Sequence, residues 1–351
     1  MAAYLNAVGT AVPPHDMHHA FIGWAGTRID ARAQPLFARM TARAGIDHRW
    51  TVLPGRDGGS PVDPGGFYAD AAPGTAARMA VYAQEAPALA LAAIAALPEG
   101  ACDGITHLVV ASCTGFVAPG IDQIIATRLG LAPSVERLLV GFMGCYAAIV
   151  ALRSARHIVR SDPDARVLVV TVELSSLHLQ EEAAIEPLLA MLQFGDGAAA
   201  GIVSAAPQGI ALGRPFAATL GDSAALIRWT ITDTGFAMHL DGAVPGRIAQ
   251  ALADPAFVAT VTDGAAPAGL FWAVHAGGRS ILDAVQTALT LPTEALAPSR
   301  AVLADYGNMS SATLMFVLAR LLAAPPAQAE GVALAFGPGL AAEGLALRFA
   351  A

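Results

Sequence analysis

Apolar positions follow two rhythms along the chain. Short runs that are apolar almost throughout alternate with longer Ala/Leu-rich stretches whose apolar residues recur at helical spacing. Tyr4–Val12, Thr106–Ala111, Leu138–Phe142 and Arg166–Val172 read as strands. Their unbroken apolar character is that of strands covered on both faces. Pro73–Leu97 reads as a helix, with Pro73 and Thr75 near its start and Leu89, Ala92, Ala93 and Ala96 in helical register. Pro87 inside it is expected to kink or split it. A long helix is expected from about Cys145 to Ser161. The recipe repeats further on: a strand at Gly269–Val274, a helix at Ser280–Leu289, a strand at Arg300–Leu303 and a helix at Ser311–Leu322. Gly331–Phe336 and Leu345–Phe349 read as a closing hairpin. The pattern is that of an α/β protein with buried sheets, in two halves, 1–206 and 207–351, joined around Pro207–Pro215.

Composition narrows the chemistry. At 351 residues the chain exceeds the roughly 250–300 residues at which one core stops growing. Only 14% of residues are charged and 55% are hydrophobic, which argues against disordered tails. All 20 basic residues are arginine. With no lysine, Schiff-base, pyridoxal-phosphate and P-loop chemistry are excluded. A net charge of −8 argues against a nucleic-acid surface. Three cysteines make no disulfide framework and suit a reducing cytoplasm. The N-terminus carries no basic-then-apolar leader pattern, so no signal peptide is expected. The longest apolar run, Ala86–Leu97, contains Pro87 and is too short to span a membrane. The mean hydropathy of +0.54 therefore points to a large core or subunit interface.

Three segments place one reactive side chain at an expected strand-to-helix junction. In LLVGFMGCYAAIVAL, Gly141 and Gly144 permit a sharp turn and Cys145 begins a helix. The free amides and positive dipole end there favour a thiolate. Cys102 and Cys113 lack that context. In LFWAVHAGGRSILDAV, His275 ends a strand and Gly277–Gly278 let backbone approach a ligand. In VLADYGNMSSATLMFVL, Asn308 occupies a Gly-containing loop before a helix. Each alone fits a packing or turn role. Together they supply a nucleophile, a proton carrier and an oxyanion donor. The triplet His15, His18 and His19 has no carboxylate or cysteine at ligand spacing and reads as a solvated loop, with no metal site expected.

GFMGCYAA, WAVHAGG and YGNMSSAT, with 33 residues from His275 to Asn308, resemble the Cys–His–Asn signature of type III polyketide synthases. These are the chalcone-synthase-like enzymes with the thiolase fold. SCTGFVAPGID, VELSSLHLQ, LQFGDGAAAGIV and AFGPGL extend the likeness along nearly the whole chain, with a bacterial flavour. The resemblance implies a layered αβαβα fold built from two similar halves. It implies that Cys145 holds an acyl-CoA starter as a thioester, that His275 keeps Cys145 ionised, and that His275 and Asn308 bind the carbonyl of malonyl-CoA during decarboxylation. Extension and cyclisation to a pyrone, resorcinol or related product would follow, with no cofactor beyond the CoA thioesters.

The resemblance also implies a homodimer, while cysteine usage, net charge and the short apolar run leave a cytoplasmic protein with neither nucleic-acid nor membrane partners as the expectation. Arg39 and Arg43 match CoA-phosphate positions, while a third basic family position is Leu36 here. Phe194 matches a gating aromatic whose partner is replaced by Met238. Cys113, His178 and Ser310 match cavity positions, with Cys113 and His178 departing from plant threonines. Ala118 stands where plant members send a methionine into the partner subunit, and Ala335 opens the loop that reads GFGPG in the family. Two other readings share the trio or the fold: a single-round β-ketoacyl synthase of the fatty-acid initiation type, and a catalytically silent scaffold. The first needs a basic patch for acyl carrier protein, which this chain lacks. The intact trio speaks against the second.

Overall fold

The computed structural model describes residues 2–55, 59–69 and 72–350, so the outermost residue of each expected half lies outside it. The chain opens with β1 (Ala3–Ala11), β2 (His15–Asp16), α1 (His18–Arg28), α2 (Gln34–Arg43), β3 (Trp50–Thr51) and α3 (Thr75–Ala95). There follow β4 (His107–Ser112), α4 (Ile121–Arg128), β5 (Glu136–Gly141), α5 (Ala147–Ser161), β6 (Val167–Leu174), α6 (Ile185–Met191) and β7 (Asp196–Ser204). The remainder runs β8 (Ile210–Thr219), β9 (Ile227–Thr232), β10 (Gly235–Leu240), α7 (Val244–Leu252), α8 (Pro255–Thr262) and β11 (Phe271–Val274). It closes with α9 (Arg279–Ala288), α10 (Ala297–Tyr306), α11 (Ser311–Ala323), β12 (Glu330–Gly337) and β13 (Ala341–Phe349).

Nine strands pair in the order β11-β12-β13-β8-β1-β7-β6-β4-β5. From β1 outward the pairings are two antiparallel (β7, β6) and then parallel (β4, β5). From β8 outward they are again two antiparallel (β13, β12) and then parallel (β11). The molecule is therefore two similar halves, and only the three pairs of β1 with β8 join their strands.

Side chains alternate along the strands and sort into three apolar clusters. Val109, Ala111, Val167 and Val169 face the same cluster as Ala273, Ala333 and Leu345, with α5 and α11 between them. Leu108, Val110, Leu168 and Val170 face outward onto α3. Trp272, Val274, Val332 and Leu334 face outward onto α7 and α9. Three helical layers thus enclose two sheet layers, the expected αβαβα order. Helix α5 has sheet on both sides, and Ala147, Ala148, Ala151 and Ala155 let it fit there with no exposed area.

Three sequence expectations change. Arg300–Leu303 is not a strand but part of α10. Its apolar pair, Val302 and Leu303, is too short to set a period, and Arg300 instead reaches across to Asp283 on α9 at 2.6 Å. Pro87 does not split α3, which runs as one helix from Thr75 to Ala95; the ring is buried in the core beside Ala86 and Ala90. Strand β5 is not covered on both faces. It forms the sheet edge, and Leu138 and Leu139 are 42% and 43% exposed.

Candidate active site

The two-half plan brings the reactive residues together. Cys145 lies in a single 3₁₀ turn, Gly144–Tyr146, between β5 and central helix α5. Asn308 precedes the other central helix, α11. His275 directly follows β11, and Cys113 follows β4, the strand at the matching place in the first half. Asn308 therefore joins two helices rather than a strand and a helix, since the expected strand before it is α10.

Local backbone is tightly specified. Gly144 has φ 78°, and a Cβ there would sit 2.4 Å from Cδ of Pro338 in the AFGPG loop. Its N–H donates to Cys113 Sγ at 2.9 Å. Phe142 and Ser310, flanking the two reactive turns, have φ of 56° and 47°. Such non-glycine values are held only where surroundings over-determine them. Asn308 is fixed from three sides. Its Nδ2 donates to Gly277 O at 3.2 Å, its Oδ1 accepts from Ser310 N at 2.8 Å, and its own N–H donates to Gln193 O at 2.7 Å.

Cys145, His275 and Asn308 line one cavity of about 30 Å³, with Phe194, Met238 and Gly277. His275 is enclosed, and neither ring nitrogen has a protein partner. A buried imidazole with both nitrogens free is open to a substrate or to the thiol. Burial pushes its pKa down to about 3. Burial also pushes the Cys145 thiol up to about 12, with Glu173 adding to the rise, while Ser310 and Asn308 favour the thiolate by hydrogen bonding. The helix-start effect is thus outweighed by desolvation, and a lone charge on either group is costly. Proton transfer from sulfur to ring would create a pair with no net charge, which escapes much of that cost. Behind the sulfur, Glu173 accepts from Cys113 N and Thr114 Oγ1, both at 2.9 Å, and from Ser311 Oγ. Burial holds its carboxyl at about 7.

A second cavity of about 230 Å³ shares Phe194 and Met238 with the first, so these two side chains form the wall between them. His178, Trp229 and Phe236 line the larger space. The His178 ring stacks on Phe236 at 4.1 Å. Its Nε2 donates to Thr114 O at 2.7 Å and its Nδ1 accepts from Phe236 N at 3.1 Å, which defines the tautomer. Cys113 and Ser310 line neither cavity: Cys113 packs under the Gly144 turn and Ser310 faces the sulfur.

A third space, a surface groove of about 400 Å³, is lined by Arg43, Gln193, Arg279 and Ser280 among others. Arg39 is exposed on α2 but does not line it. Sequence reading missed Arg279, Trp229, Phe236 and Glu173. Glu173 lies within VELSSLHLQ and Arg279 directly follows WAVHAGG, while Trp229 and Phe236 fall outside the family-like motifs; only folding reveals what any of them faces. Among the histidines, His18 is no solvated residue: it is buried at the start of α1 and accepts from Arg49 Nε at 3.0 Å. Among the described residues no group of three metal-ligating side chains occurs, and no helix is long and apolar enough to cross a membrane.

Comparison with known proteins agrees with this layout. Residues 2–207 match the N-terminal domain of chalcone and stilbene synthases, and residues 215–350 match the C-terminal domain. The chain is 35% identical over 283 residues to the "alpha-pyrone synthesis polyketide synthase-like Pks18" of Mycobacterium tuberculosis, covering 76% of this chain and 72% of that one. PKS-I of the brown alga Ectocarpus siliculosus superposes with a TM-score of 0.88 at 28% identity, over 99% of this chain and 98% of its own. The C-terminal type III polyketide synthase domain of the Dictyostelium type I/III hybrid Steely1 shares the fold, with a TM-score of 0.90 at 24% identity over the full length of both chains.

Proposed function

The chain belongs to the chalcone and stilbene synthase family and is a type III polyketide synthase, and we propose that Cys145, His275 and Asn308 carry its chemistry. The family works on acyl-CoA and malonyl-CoA. The reading rests on one observation: the sulfur, the imidazole and the carboxamide line the same small cavity. Cys145 Sγ attacks the starter thioester carbonyl as its proton passes to His275. CoA leaves as the thiol, taking that proton, and the acyl group stays on sulfur. Malonyl-CoA then places its thioester oxygen against Asn308 Nδ2 and a protonated His275 nitrogen. Loss of CO₂ leaves an enolate whose charge those donors meet as it develops. Its carbon attacks the Cys145 thioester, sulfur departs as thiolate, and the chain is two carbons longer. CoA thioesters suffice for these steps, without metal or redox cofactor.

The larger cavity, beyond Phe194 and Met238, would receive the growing chain. At about 230 Å³ it is below the roughly 300–1,000 Å³ of ordinary small-molecule sites. His178, Trp229 and Phe236 fill the rest. A short chain closing to a compact ring suits that space, and Pks18 is named for α-pyrone synthesis; we take a small pyrone as the expected product. Edge strand β5, with Leu138, Leu139 and nearby Phe116 exposed, supports a homodimer that covers this face. Three free cysteines in an acidic CoA-dependent enzyme suit the cytoplasm. Mass spectrometry of products from malonyl-CoA with a chain-length series of acyl-CoAs tests the reading. Pyrones from CoA substrates alone support it; a single β-ketoacyl product formed only with acyl carrier protein overturns it.

A further inference from the structure

Resting on the reading of Asn308 as an oxyanion donor, we propose that Arg49 is the positioning residue that holds Asn308 and Phe194 in one register. Arg49 immediately precedes β3 and has no exposed area. Its Nη1 donates to two carbonyl oxygens, Met191 O at 3.0 Å at the end of α6 and Phe194 O at 2.9 Å. Its Nε donates to His18 Nδ1 at 3.0 Å, and the guanidinium lies 4.6 Å from the centre of the Phe21 ring. The head group is thus fixed by α1 on one side and clamps the segment entering β7 on the other.

That segment is the one Asn308 leans on. Asn308 N–H donates to Gln193 O at 2.7 Å and Gly195 N–H donates to Asn308 O at 3.1 Å, so backbone bonds stand on either side of Phe194. The loop into Asn308 passes directly over the arginine. At Gly307, with φ 67°, a Cβ would lie 2.9 Å from Arg49 Cγ and 2.8 Å from Gln193 O. Neighbouring residues repeat the tie at the end of α10: the N–H groups of Asp47 and His48 donate to Ala304 O, at 2.8 and 3.0 Å, and Trp50 Nε1 donates to Asp305 O at 2.9 Å. Arg49 belongs to the first half and Asn308 to the second, so the carboxamide's place depends on this contact across the halves. Burying a guanidinium is costly, and here carbonyl oxygens offset the cost, with Asp16 and Asp196 acting at longer range. Cys145 and His275 are carried by other elements and are not among its partners. Loss of Arg49 should therefore disturb the oxyanion donor more than the nucleophile.

The test separates two half-reactions in the full chain. Arg49→Met keeps much of the stem and removes every donor. Release of labelled CO₂ from malonyl-CoA should fall by about tenfold or more, since one oxyanion donor is worth roughly 10²–10³ in rate and a displaced donor forfeits part of it. Starter transfer to Cys145, read as acyl-enzyme by rapid quench and intact-mass spectrometry, should stay near the wild-type rate. Both rates are taken per Cys145 that iodoacetamide can label, so their ratio does not depend on how much of a variant folds. Arg49→Lys carries less risk to folding. It keeps the charge but offers one nitrogen in place of the planar fork, and its decarboxylation rate should lie between those of wild type and Arg49→Met. An equal fall in both half-reactions, or decarboxylation at the wild-type rate in either variant, would overturn the proposal. Asn308→Ala tests the reading beneath it: if that variant decarboxylates as fast as wild type, it is the assignment of Asn308 that fails.

Discussion

His275→Gln separates the two ways in which Cys145 could become reactive. With His275 present, the sulfur can pass its proton to a neighbouring ring whose nitrogens have no other partner. With glutamine there, the side chain is of similar bulk but accepts no proton, and the thiol is left with the pKa of about 12 that burial imposes. At pH 7 that leaves on the order of 10⁻⁵ of the sulfur ionised, since each pH unit is a factor of ten. Iodoacetamide alkylation of Cys145, followed by intact-mass spectrometry from pH 6 to 9, reads this directly. The variant should react at least 10²-fold more slowly at pH 7, with a rate that climbs tenfold per pH unit and does not level off. The wild type should level off within the range. Equal rates and superimposable pH profiles would mean that His275 does not receive the proton, and the acylation step would have to be rewritten.

Other consequences are as direct. Cys145→Ala should abolish condensation while leaving the thermal midpoint within a few degrees of wild type; product formation in that variant would remove the covalent step. Gly144→Ala forces a Cβ to 2.4 Å from Pro338 at a φ of 78°, and should cost about 1–3 kcal/mol in urea melts; an unchanged midpoint would refute the tight turn. Trp229→Ala should enlarge the larger cavity and lengthen the product by at least one malonyl unit on mass spectrometry; an unchanged product would deny that this space holds the chain. Burial holds folded His178 at about 4 against 6.5 unfolded. The folded state then binds fewer protons, so its stability is present above pH 6.5 and is lost as pH falls toward 4, by up to about 3 kcal/mol. His178→Gln does not titrate, so the wild-type stability advantage in urea melts should shrink over that window; a constant gap would contradict it.

The buried strands and the trio were readable because their signals are local. Unbroken apolar runs such as Leu108–Ala111 arise only where helices cover both faces, and Cys145, His275 and Asn308 each sit beside the glycines that shape their turns. What stayed hidden depends on distant partners. Leu138 and Leu139 look like core residues, but their strand lies at the sheet edge, a fact of topology rather than composition. Val302 and Leu303 fit a strand or a helix equally well until α9 supplies Asp283 for Arg300. Arg39 and Arg43 are indistinguishable by spacing, yet only Arg43 lines the groove. Phe194 and Met238 were expected as a gate only by likeness. That they divide a small cavity from a larger one is a property of packed volumes.

Whether one sulfur receives the starter decides most of the mechanism. Brief exposure to an acyl-CoA, acid quench and peptide mapping should find the acyl mass on the peptide containing Cys145 and on neither Cys102 nor Cys113, with none in Cys145→Ala. Acyl mass on another cysteine, or no acyl-enzyme while products accumulate, would contradict it.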